Sequence, residues 1–248
     1  HSSWGPELKW MCVPVLSCHS CSLAWFACPV GVFVHYSAYG VFPYLAVGTM
    51  LLFGVLVGRL FCGWACPFGF LQDMLHKIPS PKFVLPGWTS CLKYVVLVVM
   101  VLAIPFFFTE RHPLTFCRIC PASALQVTIP VIVGSGAMSL KVSTIVKLAI
   151  LVIILVTVVF SSRAFCKTMC PIAAMLAPLN HVCAWVVRAP KATCVHCDRC
   201  DDVCPTHVRP SDRMGKGKPP SRALDCILCH ECQKPCPGFI RDKRAAES

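Results

Sequence analysis

Charge is scarce in this chain of 248 residues: Asp, Glu, Lys and Arg make up 14% of it, against roughly 25% in a soluble globular protein. Acidic residues are scarcer still, 11 against 23 lysines and arginines, for a formal net charge of +12. No Gly-rich phosphate loop, flavin-attachment motif or hydrolytic triad is recognisable, which sets aside nucleotide-driven and hydrolytic chemistry. With 56% hydrophobic residues and a mean hydropathy of +0.67, most of the chain is expected in lipid. The basic surplus does not mark nucleic-acid binding. Its cations are not interleaved with aromatics in a groove-like stretch, and many flank apolar runs as membrane topology signals do.

Cysteine is abundant, with 20 residues. Two runs near the C-terminus read Cys-x-x-Cys-x-x-Cys-x-x-x-Cys-Pro: Cys194, Cys197, Cys200 and Cys204 with Pro205, then Cys226, Cys229, Cys232 and Cys236 with Pro237. That spacing is the bacterial two-cluster ferredoxin signature, in which the fourth cysteine of each run ligates the other cluster. The expected ligand sets are Cys194, Cys197, Cys200 and Cys236 for cluster 1, and Cys226, Cys229, Cys232 and Cys204 for cluster 2. Zinc sites use two separated pairs, and disulfide scaffolds suit small secreted domains. The metal expected at these cysteines is therefore iron, and the chemistry one-electron transfer. Cys226-x-x-Cys229-His230 also matches a haem attachment motif. The full ferredoxin run accounts for the same cysteines, and haem is not expected.

Three apolar runs are read as crossing a bilayer core of about 30 Å at 1.5 Å per residue: 38–60, 92–108 with Pro105 near its end, and 142–160. Residues 122–140 are interrupted by Pro130, Gly134 and Gly136, which predicts a re-entrant or interfacial piece. Residues 22–35 are too short to span and are placed at the membrane edge. Segments 68–78 and 172–188 read as amphipathic interfacial helices. The expected fold is mainly α: a transmembrane helical bundle with an internal repeat over 1–188, and a C-terminal two-cluster ferredoxin-like module over 189–248, with 211–222 as the loop between its halves. The chain starts at His1 with no cleavable signal peptide recognisable, and a preceding hydrophobic helix is expected outside the sequence.

The repeat is explicit. Arg59-x-Phe-Cys62-x-x-x-Cys66-Pro67 recurs as Arg163-x-Phe-Cys166-x-x-x-Cys170-Pro171, and each copy follows a Cys-x-x-Cys pair, Cys18/Cys21 and Cys117/Cys120. Counting the expected spans sorts these cysteines onto two sides. Cys62, Cys66, Cys166 and Cys170 hold cluster 3, on the side of the C-terminal module. Four of Cys18, Cys21, Cys28, Cys117 and Cys120 hold cluster 4 on the other side. Cys28 competes with Cys18 and Cys21 because Pro29 follows it, as proline follows Cys66, Cys120 and Cys170. The total is up to four [4Fe-4S] clusters. Arg59, Lys77, Lys82, Lys93, Arg163, Lys167, Arg188 and Lys191 lie on the module side, against Lys9, Arg111, Arg118, Lys141 and Lys147 opposite. The bias places the module in the cytoplasm.

Cys12, Cys91 and Cys183 lack paired spacing and are read as buried free thiols. His35, His76 and His181 are read as packed or interfacial residues, the alternative being haem b or quinone ligation. Arg59 and Arg163 either anchor helix ends at the headgroups or neutralise a nearby cluster. Trp25, Trp64 and Trp88 fit an interfacial aromatic belt. A quinone would dock in the apolar region between the two membrane clusters, where no residue marks it.

The phrases CGWACPFGFLQD and FCKTMCP, with the terminal ferredoxin pair, resemble the NapH/NosR-type family of polytopic membrane iron–sulfur proteins over nearly the whole chain. The resemblance implies an electron conduit of the prokaryotic cytoplasmic membrane, working in anaerobic respiration between the quinone pool and a partner redox protein. Partners would be membrane lipid and a cytochrome, reductase or dehydrogenase subunit. Cys62, Cys66, Cys166 and Cys170 match the family's membrane motifs, and Cys194 to Cys236 its ferredoxin clusters. The chain departs from the pattern in its pairs at 18/21 and 117/120, and it carries no large flavin-bearing domain of the NosR type. The expected function is an electron-transfer subunit without substrate turnover of its own. The alternative is an assembly or maturation factor that reduces a metal or haem for another enzyme.

Overall fold

A computed structural model describes residues 12–16, 18, 27–110, 112–135, 142–187, 190 and 194–240. The expectations for Cys21, Trp25 and residues 136–141 lie outside these. Within the described residues the fold is mainly α, and the β pairing is an isolated parallel bridge between Cys12 and Ala27. The helices are α1 (Pro29–Ala38), α2 (Tyr44–Val57), α3 (Leu60–Trp64), α4 (Pro67–Leu75), α5 (Gly87–Phe108), α6 (Phe116–Ile119), α7 (Pro121–Val133), α8 (Val142–Phe160), α9 (Ala164–Thr168) and α10 (Pro171–Leu176). The C-terminal module adds α11 (Arg199–Asp202) and α12 (Pro210–Gly215) between irregular loops.

The repeat in the sequence is a repeat in the fold. A long apolar helix, an arginine, a short cysteine-bearing helix and a Cys-Pro step into the next helix make up α2–α3–α4, and again α8–α9–α10. Four helices begin at a Cys-Pro step, after Cys28, Cys66, Cys120 and Cys170. Proline suits the first helical position because its missing N–H has no intrahelical partner there. It also forces the preceding residue out of the α region, and the four cysteines have ψ between 114° and 122°. Each therefore sits at the mouth of a helix with its side chain beside the free N–H groups.

Proline shapes α5 and α7 in another way. Both contain a wide π-helical stretch, Leu97–Ala103 and Ala124–Thr128, and both stretches run directly into an Ile-Pro step, Ile104-Pro105 and Ile129-Pro130. A proline inside a helix removes one hydrogen bond and crowds the carbonyl four residues back, and widening the turn relieves both.

Among the described residues two helices are long and apolar enough to cross a membrane, Gly87–Phe108 and Ser143–Phe160. The expected run 38–60 is different: α1 ends at Ala38, Gly40 takes a φ of +64°, and α2 starts only at Tyr44. The 14 residues of α2 measure about 21 Å. Pro43 and the positive-φ Gly58 set its limits. Helix α1 packs against the second half of α5 and buries Pro29, Val30, Gly31 and Val34.

The core joins both repeats and the C-terminal module. Val30, Val34, Met50, Phe68, Val96, Val101, Val158, Phe165, Ile172, Leu176 and Ile227 form one cluster with Cys28, Cys62, Cys120 and Cys170. Phe68 and Phe165, from opposite repeats, meet edge to face at 5.0 Å between ring centroids. Burying such side chains stabilises by about 1.5–3 kcal/mol each. The segment read as an amphipathic helix from 172 is instead buried on every side over Pro171–Ala174 and at Leu176, because it is the inner helix of the second repeat. On α5 and α8 the outer faces stay apolar and exposed, through Val95, Val98, Phe106, Phe107, Val152, Ile153 and Val156.

Candidate iron–sulfur sites

In the C-terminal module, Cys194, Cys197, Cys200 and Cys236 line one cavity with Pro190, Met214 and Gly238. Cys204, Cys226, Cys229 and Cys232 line a second, with Val187, Ile227 and Leu228. Each cavity thus draws three cysteines from one run and one from the other. The backbone explains how such short loops curl. His196 and Leu228 lie in the left-handed region at matching places in the two runs, as do Asp198 and His230, with φ between 51° and 61°. Alternating right- and left-handed residues turn successive N–H groups inward and make an anion-binding nest. Accordingly the Leu228 N–H faces the Cys226 sulfur and the Glu231 N–H faces that of Cys229. A side chain on Gly238 would stand 2.9 Å from Pro190 Cβ, so only glycine closes this end of the first cavity.

A third cavity is lined by Cys18, Cys28, Cys117 and Cys120, with Leu16, Phe116 and Lys147. The N–H groups of Val30 and Gly31 face the Cys28 sulfur, and those of Ala122 and Ser123 face Cys120, without closing a cap bond. Cys18 is tied in from the N-terminal segment, its backbone N–H donating to Gln126 Oε1 at 2.8 Å. Cys21 lies outside the described residues.

Cys62, Cys66, Cys166 and Cys170 form the fourth group, close enough that each thiolate would feel the others. Around them stand Arg59 and Arg163, both 1% exposed. Arg163 passes over Gly69 to donate to the Cys62 carbonyl and binds the Asp73 carboxylate through Nε at 2.8 Å and through Nη2. Arg59 Nη1 donates to the Leu224 carbonyl at 2.8 Å. These positions exclude headgroup anchoring for both arginines and leave the cluster-neutralising reading. Gln72 Nε2 donates to Cys166 Sγ at 3.1 Å.

Burial pushes these thiols up: to about 11 for Cys28 and Cys226, to about 12 for Cys120, Cys166 and Cys200, and upward also for Cys62, Cys117, Cys170 and Cys232. Such thiols keep their protons until a metal displaces them. Among the described residues no three Cys, His, Asp or Glu side chains converge on a single-ion point. The module and Cys18-group sulfurs border cavities instead. Buried Arg59 faces the Cys62 sulfur, and its Nε makes no hydrogen bond to another protein group. Spaced sulfurs, inward N–H groups and a buried cationic donor aimed at a sulfur suit an anionic cubane better than a zinc ion.

The Cys62 group meets the module across a tight junction. A Cβ on Gly63 would lie 2.6 Å from the Ile227 carbonyl, so the two backbones approach as closely as glycine permits. Trp64 Nε1 donates to the Leu228 carbonyl at 3.3 Å, and Asn180 Nδ2 to the Ala223 and Cys226 carbonyls at 3.1 and 2.7 Å. Asp225 is held by Lys93 Nζ, by Ser90 Oγ at 2.7 Å and by Arg59 at 3.5 Å. Burial raises the Asp225 pKa, but these donors outweigh it and keep the carboxylate ionised.

The 4Fe-4S binding domain family matches the chain twice, over 39–86 and 144–191, the two repeats that carry Cys62/Cys66 and Cys166/Cys170. An uncharacterised protein of Methanocaldococcus jannaschii, MJ0750, is 26% identical over 72% of this chain and 71% of its own length. YccM of Escherichia coli, named as a candidate electron transport protein, is 23% identical over 68% of this chain and 47% of its own. The regulatory protein NosR of Pseudomonas aeruginosa is 28% identical over 77% of this chain and 27% of its own. The chain thus carries two copies of the 4Fe-4S binding domain and is similar to NosR-type proteins. The two 4Fe-4S domains support a role in electron transfer. This chain spans less than half of YccM and about a quarter of NosR. No solved structure matches it.

Other sequence readings find their places. His35 Nδ1 meets Glu110 at 2.8 Å, His76 Nδ1 lies 3.3 Å from the Val158 carbonyl, and the His181 carbonyl accepts from Arg222. Cys12 and Cys183 are buried, whereas Cys91 is exposed on the first turn of α5. Trp64 and Trp88 are exposed. Sequence reasoning missed Gln72, Lys93, Asn180 and Asp225. A Gln or Lys in an apolar run was the available signal, since such a residue needs a buried partner.

Proposed function

We propose that this protein is a membrane-embedded relay in which four cysteine groups hold four [4Fe-4S] clusters in the order of the cavities. The order runs from the Cys194 group to the Cys226 group, then the Cys62 group, then the Cys18 group. A bound cluster of this type supplies a one-electron couple. The protein residues fix it by thiolates, exclude water with the shared apolar core, and aim helix N-termini and buried cations at it. The observation that carries the reading is the placement of sixteen cysteines in four sets of four, three around cavities and one between two buried arginines. Neighbouring sets share surroundings: Cys200 stands near Cys232, Arg59 near both Cys226 and Cys62, and α1 and α10, which start at Cys28 and Cys170, touch.

The exposed apolar faces of α5 and α8 suit lipid. The cationic bias puts the C-terminal module on the cytoplasmic side and the Cys18 group toward the outside. Alkaline phosphatase fused after Ser248 is expected to be inactive, and an active fusion would reverse the orientation. A quinone-type donor is better served by a cleft of about 680 Å³ at the junction than by the region between the membrane clusters. Trp64, Phe83, His76, His207 and Glu231 border it together with Cys204 and Cys229, which offers aromatic walls and proton acceptors.

The relay is tested in sealed proteoliposomes loaded with ferricyanide and given dithionite outside. The reconstituted protein is expected to bleach the trapped ferricyanide at a rate well above empty vesicles. Equal rates would refute transmembrane relay.

A further inference from the structure

We propose that Arg59, Arg163 and Gln72 make the centre at Cys62, Cys66, Cys166 and Cys170 the most easily reduced of the four, so that an electron rests at the junction between the helical part and the module. The inference deepens the relay reading and rests on it.

The potential of a thiolate-held cluster follows its net charge, the hydrogen bonds to its sulfurs and its burial. Adding an electron adds negative charge, and fixed positive charge nearby favours the reduced state. At the Cys62 group two guanidinium groups are almost wholly buried, where solvent screens them least. Arg59 lies near Cys62, Cys166 and Cys170, and Arg163 near Cys62 and Cys166. The Arg59 side chain already faces the Cys62 sulfur, and its Nε makes no other hydrogen bond, so that donor is directed at the site. Gln72, also fully buried, gives Cys166 Sγ its amide N–H.

The contrast with the other groups lies in position and in Gln72. Arg59 and Arg163 also act on Cys226 and Cys229, and they pair with Asp225 and Asp73. Both guanidinium groups nevertheless lie beside the Cys62 group sulfurs, whereas Cys200 has Asp201 beside it and Cys229 has Glu231, carboxylates that oppose an added electron. Among the described residues Lys147 is the cation lining the Cys18 group cavity. The repeat supplies an internal control: at the offset that relates Arg59 to Arg163, Gln72 corresponds to Leu176, which is itself fully buried. The amide donor is thus present on one side of the site, and leucine is a side chain this fold already packs at that position. The electron arrives from one neighbouring centre and leaves to the other. The arginines stay protonated throughout, and no covalent bond or proton is exchanged.

The test is a potentiometric titration of the full-length protein in detergent, followed by electron paramagnetic resonance, with the Cys62 centre identified by its loss in Cys66→Ala. That centre is expected to titrate at the highest potential. Gln72→Leu, and Gln72→Met as a second variant, are expected to lower it by up to a tenfold change in the oxidised-to-reduced ratio, equivalent to about 59 mV for one electron, with the other centres unmoved. Arg59→Lys, which keeps the charge, is expected to preserve the order. A full iron complement with another centre titrating highest, or with no shift in either Gln72 variant, overturns the inference alone. Iron for only the module's two clusters overturns the relay reading with it.

Discussion

Cys66→Ala and Cys170→Ala, made separately, are expected to abolish the same single iron–sulfur signal and to leave both signals of the C-terminal module intact. The two cysteines occupy equivalent places in the repeat, each extended before a proline and each at the mouth of a helix, α4 and α10. Both belong to one electrostatic neighbourhood with Cys62 and Cys166. Losing one of four thiolates from a buried site leaves an iron without a ligand and without water to replace it, so the expected loss is near complete. Electron paramagnetic resonance of the two reduced variants decides the matter. Two different missing signals would mean that the repeats do not share a site.

Asp225→Ala is expected to destabilise the docking of the module by about 3–5 kcal/mol, the cost of breaking a buried ion pair from one side. Lys93 is fully buried, and the Asp225 carboxylate is its acidic partner. Removing that carboxylate leaves an ammonium group inside the protein, in the first turns of α5, with a second cation, Arg59, close by. Limited proteolysis follows the result. Cleavage within the described stretch 194–240 is expected to accelerate by two orders of magnitude or more in the variant, while α5 and α8 stay protected. Unchanged cleavage would show that the ion pair does not hold the module down. The double variant Asp225→Ala with Lys93→Met, which removes both charges, is expected to recover most of the loss.

Much of this architecture is legible in the sequence because cysteine, proline and apolar periodicity act locally. Cys-Pro steps announce helix starts, the ferredoxin spacing announces nest-forming loops, and runs such as 142–160 announce a long apolar helix. The duplicated Arg-x-Phe-Cys motif also announces the two-fold arrangement that the 4Fe-4S domain family matches twice. What stays hidden depends on contacts across more than about ninety residues. Gln72 touches Cys166, Arg163 touches Cys62, and Lys93 touches Asp225. No local pattern records such a pairing, so an arginine at a helix end reads equally as a headgroup anchor or as a buried counter-charge. The limits of α2 were obscured for a related reason. Hydropathy is continuous through 38–60, but Gly40, Pro43 and Gly58 break the backbone within it.

The central claim is that four cysteine groups each hold a cubane, two of them within the helical part. Iron and acid-labile sulfide measured on anaerobically purified, full-length protein test it most directly. The account predicts about sixteen of each per chain; a value near eight, with both module signals present, would contradict it.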